Sequence, residues 1–133
     1  MASRAISALH PKLQILCLKH IALCKAIDVD LLVYCTYRSG FEQDQLFAMG
    51  RTMPGNKVTN CKGGQSPHNH MENGKPASLA YDCVPTTNGK AQWDNTILYE
   101  KVAEIGKKIG LTWGGNFRSI HDTPHFEIPL PKV

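Results

Sequence analysis

Three short stretches hold residue types that together could run hydrolytic chemistry. They are Ser66-Pro67-His68-Asn69-His70, then Asp82 inside an apolar run, then Asp122-Thr123-Pro124-His125-Phe126-Glu127. Two imidazoles and one carboxylate, with a fourth position left to water, form the donor set of a catalytic zinc site. Zinc lowers the pKa of its water to about 7, which makes a nucleophile at neutral pH. A second carboxylate must then take the water's proton and pass it to the leaving amine. Asp122 stands three residues before His125 and reaches that position if the chain turns through Pro124.

Such residues work only if secondary structure brings them together. Pro11 suits the first turn of a helix, and Leu13, Leu16, Cys17, Ile21 and Cys24 then form one apolar stripe that Asp28 and Asp30 end. Residues 31–37 (LLVYCTY) read as a strand. Ser39 and Glu42 form a capping box for a helix that runs through Phe47 and stops near Gly50. From Arg51 to Lys75 no periodicity appears, and a loop of that length in a domain is usually functional. Residues 77–84 (ASLAYDCV) read as a buried strand carrying Asp82. Asp94 is placed to cap a helix whose Leu98, Val102, Ile105 and Ile109 share a face, with Gly110 as its stop. Two short strands around 111–113 and 125–128 complete the chain. The order predicts an α+β fold, a small antiparallel sheet with helices packed against it, as a single domain over residues 1–133.

Composition narrows the function classes. The chain has 133 residues, of which 42% are hydrophobic and 20% charged, which excludes disorder, collagen and coiled coil. Fifteen Lys and Arg against eleven Asp and Glu give a net charge of +4. That is a mild bias toward anionic partners, short of the dense basic stripe of a nucleic-acid binder, so no nucleic-acid partner is expected. Five cysteines without a C-x-x-C pair argue against a disulfide framework and a Cys-based zinc finger. They are expected to be reduced thiols, several of them in the core. Residues 1–9 lack the apolar stretch of a secretory signal, and no run approaches the ~18 apolar residues of a membrane span. A soluble chain without stable membrane insertion is expected.

Further motifs stand in order around these residues: Tyr37-Arg38-Ser39, residues 50–55 (GRTMPG), residues 58–69 (VTNCKGGQSPHN), residues 78–82 (SLAYD), Trp113-Gly114-Gly115 and residues 122–127 (DTPHFE). Together they resemble the VanY-like zinc peptidases that include D-alanyl-D-alanine carboxypeptidases. The likeness is strongest to phage endolysins that cut the L-alanyl–D-glutamate bond of peptidoglycan, and it runs from about Leu9 to Ile128. The resemblance implies a zinc cleft of the hedgehog/D-alanyl-D-alanine peptidase kind. It implies one zinc ion held by His68, Asp82 and His125, with Asp122 as general base. Arg38 matches the family Arg that holds a substrate carboxylate or the developing oxyanion, a role its forked guanidinium suits. Ser66 either binds substrate or orients the His68 loop. The implied setting is a monomeric lysin made in the host bacterial cytoplasm and released onto the cell wall. The rival readings are a cell-wall D-alanyl-D-alanine carboxypeptidase and a non-catalytic, zinc-stabilised wall-binding module.

One departure bears on the ligands. The family pattern H-x-x-G-x-A-x-D sets the first His close to the Asp, whereas His68 and Asp82 stand fourteen residues apart, with 70–77 inserted. Longer loops cost little extra entropy. His70 or Glu72 could then serve in place of His68, although Ser66-Pro67-His68-Asn69 fits the pattern better. Glu127 is expected to support a ligand or the fold, and Trp113 to line either the cleft or the core. No role is assigned to His10, His20 or His121.

Overall fold

The computed structural model describes residues 2–117 and 120–131. Its helices are α1 (Pro11–Lys25), α2 (Gly40–Ala48) and α3 (Thr96–Lys108). Its strands are β1 (Asp30–Cys35), β2 (Met71–Glu72), β3 (Lys75–Pro76), β4 (Ala80–Thr87), β5 (Lys90–Ala91), β6 (Thr112–Trp113) and β7 (His125–Glu127). The main sheet has the order β1-β4-β7-β6, antiparallel throughout, and β5 extends it beside the far end of β4. This is the expected α+β arrangement.

Local chemistry explains most of these boundaries. Pro11 opens α1, and His10 caps it by accepting the Lys12 amide at 3.1 Å through Nδ1. Leu13, Cys17, His20 and Cys24 form the buried stripe of α1, and Asp28 leaves the helix with a left-handed φ of 63°. At α2 the capping box is complete: Ser39 Oγ accepts the Glu42 amide, and the Glu42 carboxylate accepts the Ser39 amide. For α3 the cap is Asn95, not Asp94, because the Asn95 side chain accepts the Leu98 amide at 3.0 Å.

Two strands differ from expectation at their ends. β1 stops at Cys35 because Thr36 turns to the N-terminal segment, with its hydroxyl donating to the Ala5 carbonyl at 2.8 Å. β4 starts at Ala80, since the amides of Ala77, Ser78 and Leu79 donate to His70, Ala8 and Pro67 instead of to a sheet neighbour. The region 51–75 is not structureless throughout. It contains a 3-10 turn at Pro67–Asn69 and the β2–β3 hairpin, whose Asn73-Gly74 turn has φ values of 54° and 73°.

The core lies between the sheet and α1 and α3. Leu13, Cys17 and Cys24 from α1 meet Tyr81 and Cys83 from β4, Val102 and Ala103 from α3, and Phe126 from β7. Gly106 lets α3 close on this layer, because a Cβ there would lie 2.9 Å from the Phe126 ring. Alternation along a strand sends neighbours to opposite faces. With Tyr81 and Phe126 committed to the helices, Asp82 and His125 face the other way. All five cysteines are free thiols, and Cys17, Cys24, Cys35 and Cys83 are buried.

Candidate active site

The sheet register sets the centre of the site. Asp82 on the central strand β4 pairs with His125 on β7 and with Cys35 at the end of β1. His68 arrives from the 3-10 turn. Ser66 caps that turn through its hydroxyl, which accepts the His68 amide at 3.2 Å, and Asn69 closes it from the other side. The turn is fastened to the chain after β1: the Arg38 amide donates to the His68 carbonyl, and the Asn69 amide nitrogen donates to the Arg38 carbonyl at 2.7 Å.

Hydrogen bonds fix how each imidazole presents itself. His68 Nδ1 lies 2.8 Å from the Thr36 carbonyl oxygen, which only accepts, so Nδ1 carries the hydrogen and Nε2 keeps its lone pair. His125 Nε2 lies 2.8 Å from Glu127 Oε1, so in this ring Nδ1 keeps the lone pair. Both lone pairs face Asp82 Oδ1, at 3.3 Å from His68 Nε2 and 3.4 Å from His125 Nδ1. Among the described residues these three buried atoms have no hydrogen-bond partner. With both rings neutral, three acceptors thus converge with no protein donor among them, and a cation, either a metal or an added proton, must satisfy them. Both distances match the spacing of about 3.3 Å between ligands of a tetrahedral zinc with ~2.0 Å bonds.

The electrostatics say the same. Burial disfavours a charged His68 ring, but the Asp82 carboxylate beside it overrides this and raises its pKa to about 10. Burial likewise works against an ionised Asp82, yet the two imidazoles hold it well below the usual carboxylate range. Without a metal, a proton takes the cation's place.

Asp122 adjoins this centre. Its Oδ2 lies 3.6 Å from His125 Nδ1, and its side chain is 46% exposed toward the cleft. The expected turn through Pro124 is present, with the His125 amide donating to the Asp122 carbonyl at 3.0 Å. Gly114 is needed here, because a Cβ would run into the Asp122 carbonyl. Trp113 Nε1 donates to the Thr123 carbonyl at 2.7 Å, so the half-buried Trp113 braces this turn. Burial, and then the Asp82 charge, raise the Asp122 pKa above that of a free carboxylate.

Above these groups opens a cleft of about 470 Å³, which Arg38, Ser66, His68, Asp82, Asp122 and His125 all line. Leu46, Val58 and Phe117 supply apolar wall. All six expected site residues therefore meet in one place. His70 does not join them: its Nε2 pairs with Glu72 at 3.0 Å on the β2–β3 hairpin.

Comparison with known proteins identifies the family. Residues 59–128 match a peptidase family described as D-alanyl-D-alanine carboxypeptidase. The chain is also 37% identical over 132 residues to the peptidoglycan L-alanyl-D-glutamate endopeptidase CwlK of Bacillus subtilis strain 168. That alignment covers 92% of this chain and 74% of CwlK. The chain belongs to this peptidase family. Its fold is similar to that of the L-Ala D-Glu endopeptidase ChiX of Serratia marcescens. The TM-score is 0.65 at 20% identity, over 97% of this chain and 89% of ChiX.

Two features of this peptidase site were not anticipated from the sequence. Cys35 lies beneath it, its Sγ 3.9 Å from His68 Nδ1 and 3.5 Å from Arg38 Nη2. Cys35, His68 and Asp82 offer ligand atoms within 4.8 Å of one another, as do Asp82, Asp122 and His125. Arg38 is also less free than a substrate clamp would be, since its Nη2 lies 3.6 Å from Asp82 Oδ2. No local motif announces either contact, because both depend on strand register.

Proposed function

We propose that the protein is a zinc-dependent endopeptidase that hydrolyses the L-alanyl–D-glutamate bond of peptidoglycan stem peptides. The observation that carries this reading is the set of three buried acceptors with no protein donor under an open cleft, with a carboxylate of raised pKa beside them. His68 Nε2, Asp82 Oδ1 and His125 Nδ1 are the proposed holders of one zinc ion. When bound, zinc polarises a carbonyl and acidifies water. Asp122 Oδ2 takes the proton of the attacking water and delivers it to the leaving amine as the C–N bond breaks. Arg38 holds Asp82 Oδ2 and offers its remaining N–H groups to a substrate carboxylate. Ser66 orients the His68 turn, and its place on the cleft wall lets it touch substrate as well.

The +4 charge suits an anionic envelope. Among the described residues no helix is long and apolar enough to cross a membrane. We further propose that the domain spans residues 1–133, acts as a monomer and serves as a lysin released onto the wall from the host cytoplasm. The likeness to phage endolysins supports that setting. Co-expression with a pore-forming protein tests it, with lysis that depends on Asp122 as the expected outcome.

A second reading, a D-alanyl-D-alanine carboxypeptidase, is favoured by the family's own description. One digestion separates the two. Purified peptidoglycan treated with zinc-loaded protein should gain amino-terminal D-glutamate, whereas carboxypeptidase action releases free D-alanine. Neither product would sink both readings.

A further inference from the structure

We infer that Gln43 is a positioning residue of the site, acting through Arg38. Gln43 lies on α2, away from the reacting groups, yet it is a polar side chain only 1% exposed. Its amide is fully used. Oε1 accepts from Arg38 Nη1 at 3.0 Å, while Nε2 donates to the Cys61 carbonyl at 3.0 Å and to Thr59 Oγ1 at 3.3 Å. The orientation is forced at both ends, because a guanidinium only donates and a carbonyl only accepts.

The consequence is a continuous chain of contacts. Thr59 and Cys61 form a wall of the cleft, Gln43 ties that wall to Arg38, and Arg38 Nη2 reaches Asp82 Oδ2 at 3.6 Å. Arg51 fastens the same wall to α2, donating to the carbonyls of Phe47 and Thr59 at 2.7 and 3.0 Å. Arg38 has a long, flexible stem, so its guanidinium holds one place only if something outside the cleft anchors it. Gln43 supplies that anchor. It thereby steadies the outer oxygen of Asp82, leaving Oδ1 aimed at the two imidazoles, and keeps the wall and the guanidinium in register.

This inference rests on the proposed zinc site, and a double-mutant cycle tests it. Loss of an outer partner of a metal ligand typically weakens metal affinity about 10- to 100-fold, so Arg38→Met should do so. Gln43→Met should weaken zinc in the same direction, measured by chelator competition, and lower kcat/KM by up to about 100-fold through misplacement. In the Arg38→Met background, Gln43→Met should add almost nothing to the zinc defect. Additive zinc defects, or no effect of Gln43→Met on zinc affinity, would each overturn the inference. If Gln43→Met does not fold, Gln43→Ala, which leaves room for water, serves in the same cycle. Wild-type protein that takes up no zinc overturns the functional reading as well, whereas the other adverse outcomes overturn this inference alone.

Discussion

Two buried histidine clusters meet back to back on β4, and they differ in one respect that decides their chemistry. On the helix side, His20 Nε2 donates to the Val102 carbonyl at 2.8 Å and Nδ1 accepts from the Tyr81 hydroxyl at 2.7 Å. Every polar atom of that ring is matched, and burial lowers its pKa, so the ring stays neutral. On the cleft side, one residue further along the strand, Asp82 faces two imidazoles whose lone pairs find no donor in the protein. There His68 is driven the other way, toward a pKa of about 10. Burial is common to both clusters and so identifies neither as a site. Counting hydrogens does, because a buried acceptor without a partner is costly.

Exchanging the two defects breaks the comparison most directly. His68→Ala should abolish stoichiometric zinc binding and cost the several kcal/mol of transition-state stabilisation a metal supplies, about a thousandfold or more in kcat/KM. His20→Ala should leave zinc stoichiometry intact. It opens a cavity and strips the Tyr81 hydroxyl of its partner, for a loss of about 3 kcal/mol in urea unfolding. Metal content and unfolding curves for both variants check the crossed pattern, and zinc loss in His20→Ala would end the distinction.

Asp122 sharpens the contrast within the cleft side, because it neighbours the ligands without belonging to the converging three. Asp122→Asn should retain zinc and lose about 10²- to 10⁴-fold in kcat, the range for a general base. The base works only when deprotonated, and burial raises its pKa. Activity should therefore fall on the acid side, with a limb that Asp122→Asn removes. A smaller, thermodynamic effect follows from His68. Its pKa of about 10 means that at pH 7 the ion-free ring holds a proton that zinc must displace. Zinc affinity should rise with pH across this interval, and calorimetry in buffers of different ionisation enthalpy should detect about one proton released. His20 contributes none.

Much of this was legible in the sequence where the governing contacts are local. The Ser39–Glu42 box and Pro11 marked helix starts because capping partners lie within a few residues. The ligand types stood out because few residues bind zinc. Asn73-Gly74 and Asn88-Gly89 carry a hairpin signal that the expectation of an unpatterned 51–75 loop passed over, since paired positive φ angles favour Asn-Gly. They are what gives the long 51–75 region its hairpin and β4 its partner β5. Other features were not readable. The tautomer of His68 is set by Thr36, the alignment of Asp82 by Arg38, and the anchoring of Arg38 by Gln43. Most of these contacts join residues far apart in the chain, and no spacing rule carries such information.

The smallest expected effect belongs to the residue whose type made it a rival ligand. His70 follows the 3-10 turn by one residue, and its Nε2 points to Glu72, which His10 also approaches at 3.4 Å. The insertion at 70–77 folds back on itself as the β2–β3 hairpin instead of displacing the His68 turn, which is why longer spacing leaves the metal-facing geometry intact. An exposed His–Glu pair is screened and contributes little. His70→Ala should therefore leave zinc stoichiometry and the unfolding midpoint unchanged, while His68→Ala two positions away removes the metal. Equal zinc loss in the two variants would mean that the turn as a whole, and not the Thr36-held ring, supplies the ligand.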